Sequence, residues 1–240
     1  MTGMGKGFRS MVHFLKPEGP YNLFVRFISP NPVTPTVPES RVPVISKEAF
    51  ISPFVSIIGD VTIKEGVFVA PSASIRADEG TPFYIGDRTN LQDGVILHGL
   101  KDEYVTFGGS RYSIYIDSEV TCGHGAIIHG PALLGAGSFV GFHALVFDAE
   151  LGSGVFVSNH TIVTGGVRVA DNRFVPPGAV IDTQQQADRL SPLPLEKQQF
   201  AKEVQRVNQA FPSSYSMLFG ERRCSCGLAS SSRRVTDSIK

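Results

Sequence analysis

Three histidines stand in contexts that could do chemistry: His98 in VILHGL, and His124 and His129 in CGHGAIIHGP. Three neutral imidazoles plus one open position make the ligand set of a catalytic zinc site. Zinc held this way lowers the pKa of a bound water from about 15.7 to roughly 7 and so generates hydroxide at neutral pH. A second cluster carries proton-handling and polar groups: Arg76, Asp78 and Glu79 in IRADEGTPF, then Asn90, Gln92 and Asp93 in TNLQDG. In one reading these residues cap turns and pair across a subunit contact, Arg76 with Asp78 or Asp93. In the other, Glu79 moves protons off the metal-bound water while Gln92 orients it or the substrate. Taken alone, the cluster leaves both readings open. His13, His143 and His160 bear no comparable relation to each other and read as turn histidines.

What positions these groups is a repeat of six. Ile57, Ile63, Val69 and Ile75 fall six apart, and after a four-residue insertion the series resumes as Ile85, Leu91 and Leu97. It continues as Ile116, Cys122, Ile128, Leu134, Val140 and Val146, drops one residue, and runs from Leu151 through Val157, Val163, Val169 and Val175 to Ile181. A second small or apolar set lies two residues before most of these, including Val55, Val61, Val67, Ala73, Val120 and Ala126. A hexapeptide period over 51–182 predicts an all-β solenoid, a parallel β-helix of triangular turns with both sets pointing inward. The hexad is interrupted at Asp78–Phe83 and at Gly99–Arg111, where loops must leave the body. His98 follows the inward Leu97 and His129 the inward Ile128, so they share one phase. If Gly99–Arg111 is an excursion within one flat, they are one full turn apart and stack on one face. His124 has a different phase and cannot readily join them from the same prism. It can reach the equivalent face of another copy, and a three-sided prism makes a homotrimer the natural arrangement.

Four segments result: an extended lead-in over 1–44, the β-helix over 45–183, a C-terminal helix within 184–220 and a flexible tail over 221–240. Pro30, Pro32, Pro35 and Pro38 stiffen the lead-in. Its basic start, Lys6, Arg9, Lys16 and Arg26 against Glu18, raises the question of a targeting peptide, but its apolar clusters are too short for a secretory core. After Pro194, the residues Phe200, Val204, Val207 and Phe211 follow helical spacing and predict one apolar face laid on the solenoid, with Pro212 as its stop. Lysine plus arginine equal aspartate plus glutamate at 22 each, which argues against nucleic acid or an anionic membrane as partner. No apolar run is long enough to span a bilayer. Of three cysteines, Cys122 is an inward core residue, while Cys224 and Cys226 lie in the polar tail. That is not a disulfide framework, and it suits a cytoplasmic protein.

IRADEGTPF, TNLQDGVILHGL, TCGHGAIIHGPALLG and the helix with VQRVN resemble the gamma-class carbonic anhydrases. The likeness spans about residues 45–211. Through RADEGTPF, HGPA and DTQQQADRL it is nearest to the N-terminal domain of carboxysome assembly proteins. The resemblance implies a left-handed β-helix trimer with Zn2+ between subunits, Fe2+ or Co2+ serving as alternatives. It implies metal ligation by His98 and His129 of one subunit and His124 of its neighbour, with Glu79 as the catalytic carboxylate. Arg76 and Asp93 then form an interface pair, Asn90 and Gln92 line the pocket, and Asn208 comes near the site from the helix. The substrates would be CO2 and bicarbonate, and the location the cytoplasm or carboxysome, with shell or Rubisco proteins as partners. Two positions depart from the pattern. Lys101 stands where methanogen-type enzymes carry a second shuttle glutamate, and Arg206 where they carry a tyrosine. Cys224 and Cys226, one residue apart, would strain an intrachain disulfide.

Three functions follow: a carbonic anhydrase, a trimeric scaffold whose site is vestigial, and an acyltransferase. The third is the other large class of trimeric β-helices, and it relies on one catalytic histidine and a coenzyme A groove.

Overall fold

All the hexad positions named above are buried in the computed structural model, which describes residues 26–219. Ile57, Ile75, Leu91, Leu97, Ile116 and Ile128 are among the side chains fully enclosed by one continuous core. Each such side chain contributes about 1.5–3 kcal/mol on leaving water. Where an inward position is polar, the hydroxyl has a carbonyl to meet: Ser138 Oγ donates to Gly152 O at 2.9 Å, and Thr161 Oγ1 to Pro176 O at 3.3 Å.

The chain winds into a left-handed parallel β-helix of about eight turns with three faces. The first face carries Phe27–Ser29, Ser56–Gly59, Ser74–Ala77, Ile96–Gly99, the leading parts of Ile127–Leu134 and Leu145–Leu151, then Ile162–Val163 and Val180–Ile181. The second face runs from Val44–Ile45 through Phe83–Ile85 and Ile114–Ile116 to Val167–Val169. The third runs from Phe50–Ile51 through Asn90–Leu91 and Thr121–Cys122 to Arg173–Val175. The usual right-handed crossover arises when a twisted strand feeds a helix that packs back on the sheet. Here short strands meet only turns, so that cause is absent.

The solenoid begins earlier than the hexads indicate. Phe27–Ser29 pairs with Ser56–Gly59 and Val44–Ile45 with Val61–Ile63, so the described part of the expected lead-in already forms the first turn. The prolines between them lie in a loop off that turn. The second interruption is an antiparallel hairpin, Val105–Phe107 with Ser110–Tyr112. Rather than protruding, it lies on the second face with Phe107 stacked 4.0 Å from Tyr115. Desolvation there pushes the Tyr84 and Tyr115 hydroxyls above the ordinary tyrosine range.

The C-terminal segment is not one helix. A short helix, α1 (Gln184–Asp188), opens on a Thr183–Gln186 capping box and tucks Ala187 against the end of the core. Then come α2 (Leu195–Gln209) and α3 (Phe211–Phe219). Pro212 does not stop a helix; it stands in the first turn of α3, where the missing N–H costs nothing. The expected apolar face is also displaced: Phe200 and Val207 are about half exposed, and the buried residues of α2 are Gln205 and Asn208. The tail, with Cys224 and Cys226, lies outside the described residues, as do His13, Lys6, Arg9 and Lys16. Among the described residues no helix is long and apolar enough to cross a membrane.

Candidate active site

On the first face the outward residue that follows each inward one forms a column: Ile58, Arg76, His98, His129, Phe147. His98 and His129 are thus direct neighbours one turn apart, as the hexad phase predicts. The reason is that the hairpin spends its extra residues within one turn. His98 Nδ1 lies 3.2 Å from His129 Nε2, and Phe147 meets the His129 ring edge-on at 5.1 Å.

Each of these histidines is followed by a glycine, and the vertex they form lets the first insertion come close. Gly80 N donates to Gly99 O at 3.0 Å, and a Cβ on Gly80 or Gly99 would overlap the buried Ser113 hydroxyl. This contact seats Asp78 and Glu79 beside His98: Asp78 Oδ1 is 3.4 Å and Glu79 Oε2 3.8 Å from His98 Nε2. Asp78 Oδ2 accepts from Arg76 Nε at 3.0 Å, while the buried Oδ1 has no hydrogen bond of acceptable geometry. Arg76, Asp78, Glu79, His98 and Lys101 line one cleft of about 440 Å3 together with Pro32, Thr34 and Thr36.

Donor counting tests this pair for a cation. His129 Nδ1 lies 3.0 Å from Gly130 O, so that nitrogen carries the proton and Nε2 presents its lone pair to His98. A neutral His98 then has one proton for two demands. Placed on Nδ1, it leaves a lone pair facing Asp78 and Glu79; placed on Nε2, it leaves two lone pairs facing at 3.2 Å. The imidazole pair with carboxylates beside it is a donor set that suits a divalent metal. Among the described residues of a single chain, no three such side chains are grouped to hold an ion.

The other expected residues lie apart. His124 sits on the vertex leading into the first face, its Nδ1 3.0 Å from Asp93 Oδ2 and its ring 5.2 Å from Phe142. Arg76 and Asp93 do not pair within the chain; their partners are Asp78 and His124. His143 and His160 lie with their rings tilted, 5.5 Å apart, on left-handed backbone of φ 53° and 56°, and are turn residues. Asn90 points from the third face and is covered by α2 instead of opening into the histidine cleft. Its Nδ2 donates to Thr121 Oγ1 and to Gln205 Oε1, both at 2.8 Å. Gln92 is buried with Oε1 lacking a partner, and Asn208 Nδ2 donates to Val204 O of its own helix at 2.9 Å. Gln205 was not singled out by sequence, yet it joins α2 to the solenoid through Asn90, Thr121 and Arg88 O. The available signal was the polar pair at outward positions of a face otherwise rich in phenylalanine.

A β-helix with a histidine pair, a carboxylate loop beside one of its members and a covering C-terminal helix defines a hexapeptide-repeat protein. The chain is 42% identical over 173 residues to a carbonic anhydrase of Methanosarcina thermophila, a match covering 68% of this chain and 70% of that one. It is 43% identical over 187 residues to the carboxysome assembly protein CcmM of a Nostoc species, covering 78% of this chain and 33% of the relative. The chain therefore spans about a third of that relative's length. Among solved structures, a putative acetyltransferase of Bacillus cereus shares the backbone with a TM-score of 0.64 at 22% identity, covering 80% of this chain and 98% of that one. At that identity the likeness carries the fold alone. No family model matches the chain. With two-thirds of a carbonic anhydrase's length matched at this identity, the chain belongs to the gamma-class carbonic anhydrase family.

Proposed function

We propose that the chain catalyses the reversible hydration of CO2 to bicarbonate, at sites shared between copies of the chain in a homotrimer. The observation that carries this is the in-register His98–His129 pair, with Asp78 and Glu79 set beside His98. His98 and His129 of one copy and His124 of the next would hold Zn2+, with Fe2+ or Co2+ as alternatives. A zinc ion in such a set supplies Lewis acidity that brings the pKa of a coordinated water to about 7. Glu79, partly exposed beside His98, accepts the proton and passes it to buffer. Gln92, whose buried Oε1 lacks a partner within the chain, orients the substrate together with Asn208. An aliphatic ladder beside the histidine column supports the trimer: Ile96, Ile127, Ile162 and Val180 are all at least a third exposed on the first face. Burying it against a neighbour would bring the vertex with His124 to the column.

Stopped-flow CO2 hydration by the zinc- or cobalt-loaded protein tests the reaction, with metal stoichiometry measured on the same sample. His124→Ala and His129→Ala should each abolish turnover. Mixed and reassembled, the two variants should regain activity at roughly a quarter of sites, because each site draws on two chains. No hydration by metal-replete protein under either oxidising or reducing conditions would refute the assignment. A second reading has the trimer organising carboxysome components, shell or Rubisco proteins, with the site inert. It draws on the relatives called carboxysome assembly proteins and on Lys101, a cation lining the cleft beside Glu79. A metal-free trimer that co-purifies with such components would favour it.

A further inference from the structure

The proline-rich loop over 30–43 forms one wall of the cleft, and the fold fixes it there. Asn31 is buried and brackets the loop: its Nδ2 donates to Pro32 O at 3.0 Å and Glu39 O at 2.9 Å, and its Oδ1 accepts from Arg41 N at 2.8 Å. Ser40 Oγ donates to Asn31 O at 3.0 Å, closing the neck. At the tip, Thr34 Oγ1 accepts from Val37 N at 3.0 Å and lies 2.8 Å from Thr36 Oγ1. Two hydroxyl protons serve this pair and only one is used between them. One O–H is therefore left over for a ligand, on a wall that Thr34 and Thr36 share with Lys101 and Glu79.

The cleft so described offers donors on one side and an acceptor on the other. Lys101 Nζ has an exposed aspartate, Asp102, at 3.5 Å, outside the residues that line the cleft. Arg76 is engaged by Asp78, while Glu79 holds Oε2 toward His98 and accepts from Lys101 N on Oε1 at 3.4 Å, each oxygen keeping a further lone pair. A plain oxyanion would meet the Glu79 carboxylate with repulsion. Bicarbonate offsets that repulsion, because its own O–H donates to a carboxylate while its two other oxygens accept from hydroxyl and ammonium. We propose that the Thr34–Thr36 hydroxyl pair and Lys101 form a bicarbonate subsite at the mouth of the cleft, selective over planar anions that lack a proton, with Asn31 as its positioning residue. The assignment rests on the proposed CO2 hydration for its meaning, but binding can be read without turnover.

Line broadening of 13C-labelled bicarbonate by the metal-free, full-length protein measures it, with nitrate as the proton-lacking competitor. Thr34→Val should weaken bicarbonate binding about tenfold, the loss of one hydrogen bond to a charged group. Thr34→Ser should restore it, Lys101→Gln should weaken it, and nitrate should compete poorly against the native chain. Thr36→Val reads the same hydroxyl pair from the more exposed side should Thr34→Val fail to fold. Equal losses in the Val and Ser variants would reduce Thr34 to a structural wall and overturn the subsite. So would native-like binding in both, effective competition by nitrate, or no binding by the native chain. An inactive zinc-loaded protein that still binds bicarbonate through Thr34 would refute hydration and leave the subsite. An active one with Thr34-independent binding would overturn the subsite alone.

Discussion

The first and third faces are built from the same hexad and bury the same kinds of side chain inward, yet they end in opposite states. The outward column of the third face reads Phe50, Phe68, Asn90, Thr121, Phe139, Phe156, Phe174. The helices answer it rung by rung. Tyr215 and Phe211 of the α3 segment meet Phe50 and Phe68 at 5.3 and 5.2 Å, Gln205 meets Asn90 and Thr121, and Phe200 meets Phe139 at 5.7 Å. The first face receives no such cover among the described residues, and its column holds a cationic arginine, two histidines and a phenylalanine. One face spends its outward residues on closing the chain upon itself; the other keeps them for ligand and neighbour. Inward residues therefore specify the scaffold, and outward ones decide what each side of it does.

Changes on the two faces should separate activity from stability. His129→Ala on the first face should lower CO2 hydration by more than about 100-fold, beyond the loss typical of a residue that merely supports a ligand. Its thermal midpoint should stay near that of the native chain by calorimetry, since the ring lies outside the hydrophobic core. Glu79→Gln should cost on the order of 100-fold in hydration at low buffer, and imidazole buffer should restore much of it by accepting the proton directly. Insensitivity to buffer would take Glu79 out of proton transfer. On the third face Gln205→Leu should do the reverse. It strands Asn90 and Thr121 beneath α2 and should lower unfolding stability by about 1–3 kcal/mol in urea titration, with a far smaller fall in kcat than Glu79→Gln. A fall in kcat as large as that of Glu79→Gln would dissolve the contrast between the faces.

The smallest effect is expected from Cys122, inward on the third face. Burial pushes its thiol up from 9.0 to about 12. The folded chain therefore holds the proton longer than the unfolded one does. The stability this contributes is complete below about pH 9 and is lost as the pH rises toward 12. Urea midpoints followed through that window should decline more steeply for the native chain than for Cys122→Ala, and parallel curves would contradict it.

How much of this was legible in the sequence differs by layer. Ile57 to Ile181 announced the core because a buried position tolerates few side chains and recurs at a fixed interval. The stacking of His98 on His129 followed from the same count. The two ends did not show. Phe27–Ser29 and Val44–Ile45 each contribute one short strand to a turn with a long loop inside it, too little to display a period. The contacts of α2 differ from the expected ones for another reason: the apolar spacing points to one buried stripe, but the polar pair Asn90 and Thr121 draws Gln205 inward and leaves Val207 half exposed. Thr34 and Thr36 gave no signal, because their neighbourhood depends on Asn31 folding the loop back over a cleft made some forty residues later. Where a residue meets a partner fixed by the repeat, position along the chain sufficed; where two irregular segments meet, only the three-dimensional path reveals it.

Successive turns of a β-solenoid are spaced at about 4.8 Å, close to the span across which two imidazoles can grip a single small ion. The pitch of the coil thus acts as a ready-made caliper: any side chain repeated on adjoining rungs becomes half of a chelate without a dedicated loop to shape it. Phe147, on the rung beyond His129, is where such a chelate could be lengthened by substituting one residue.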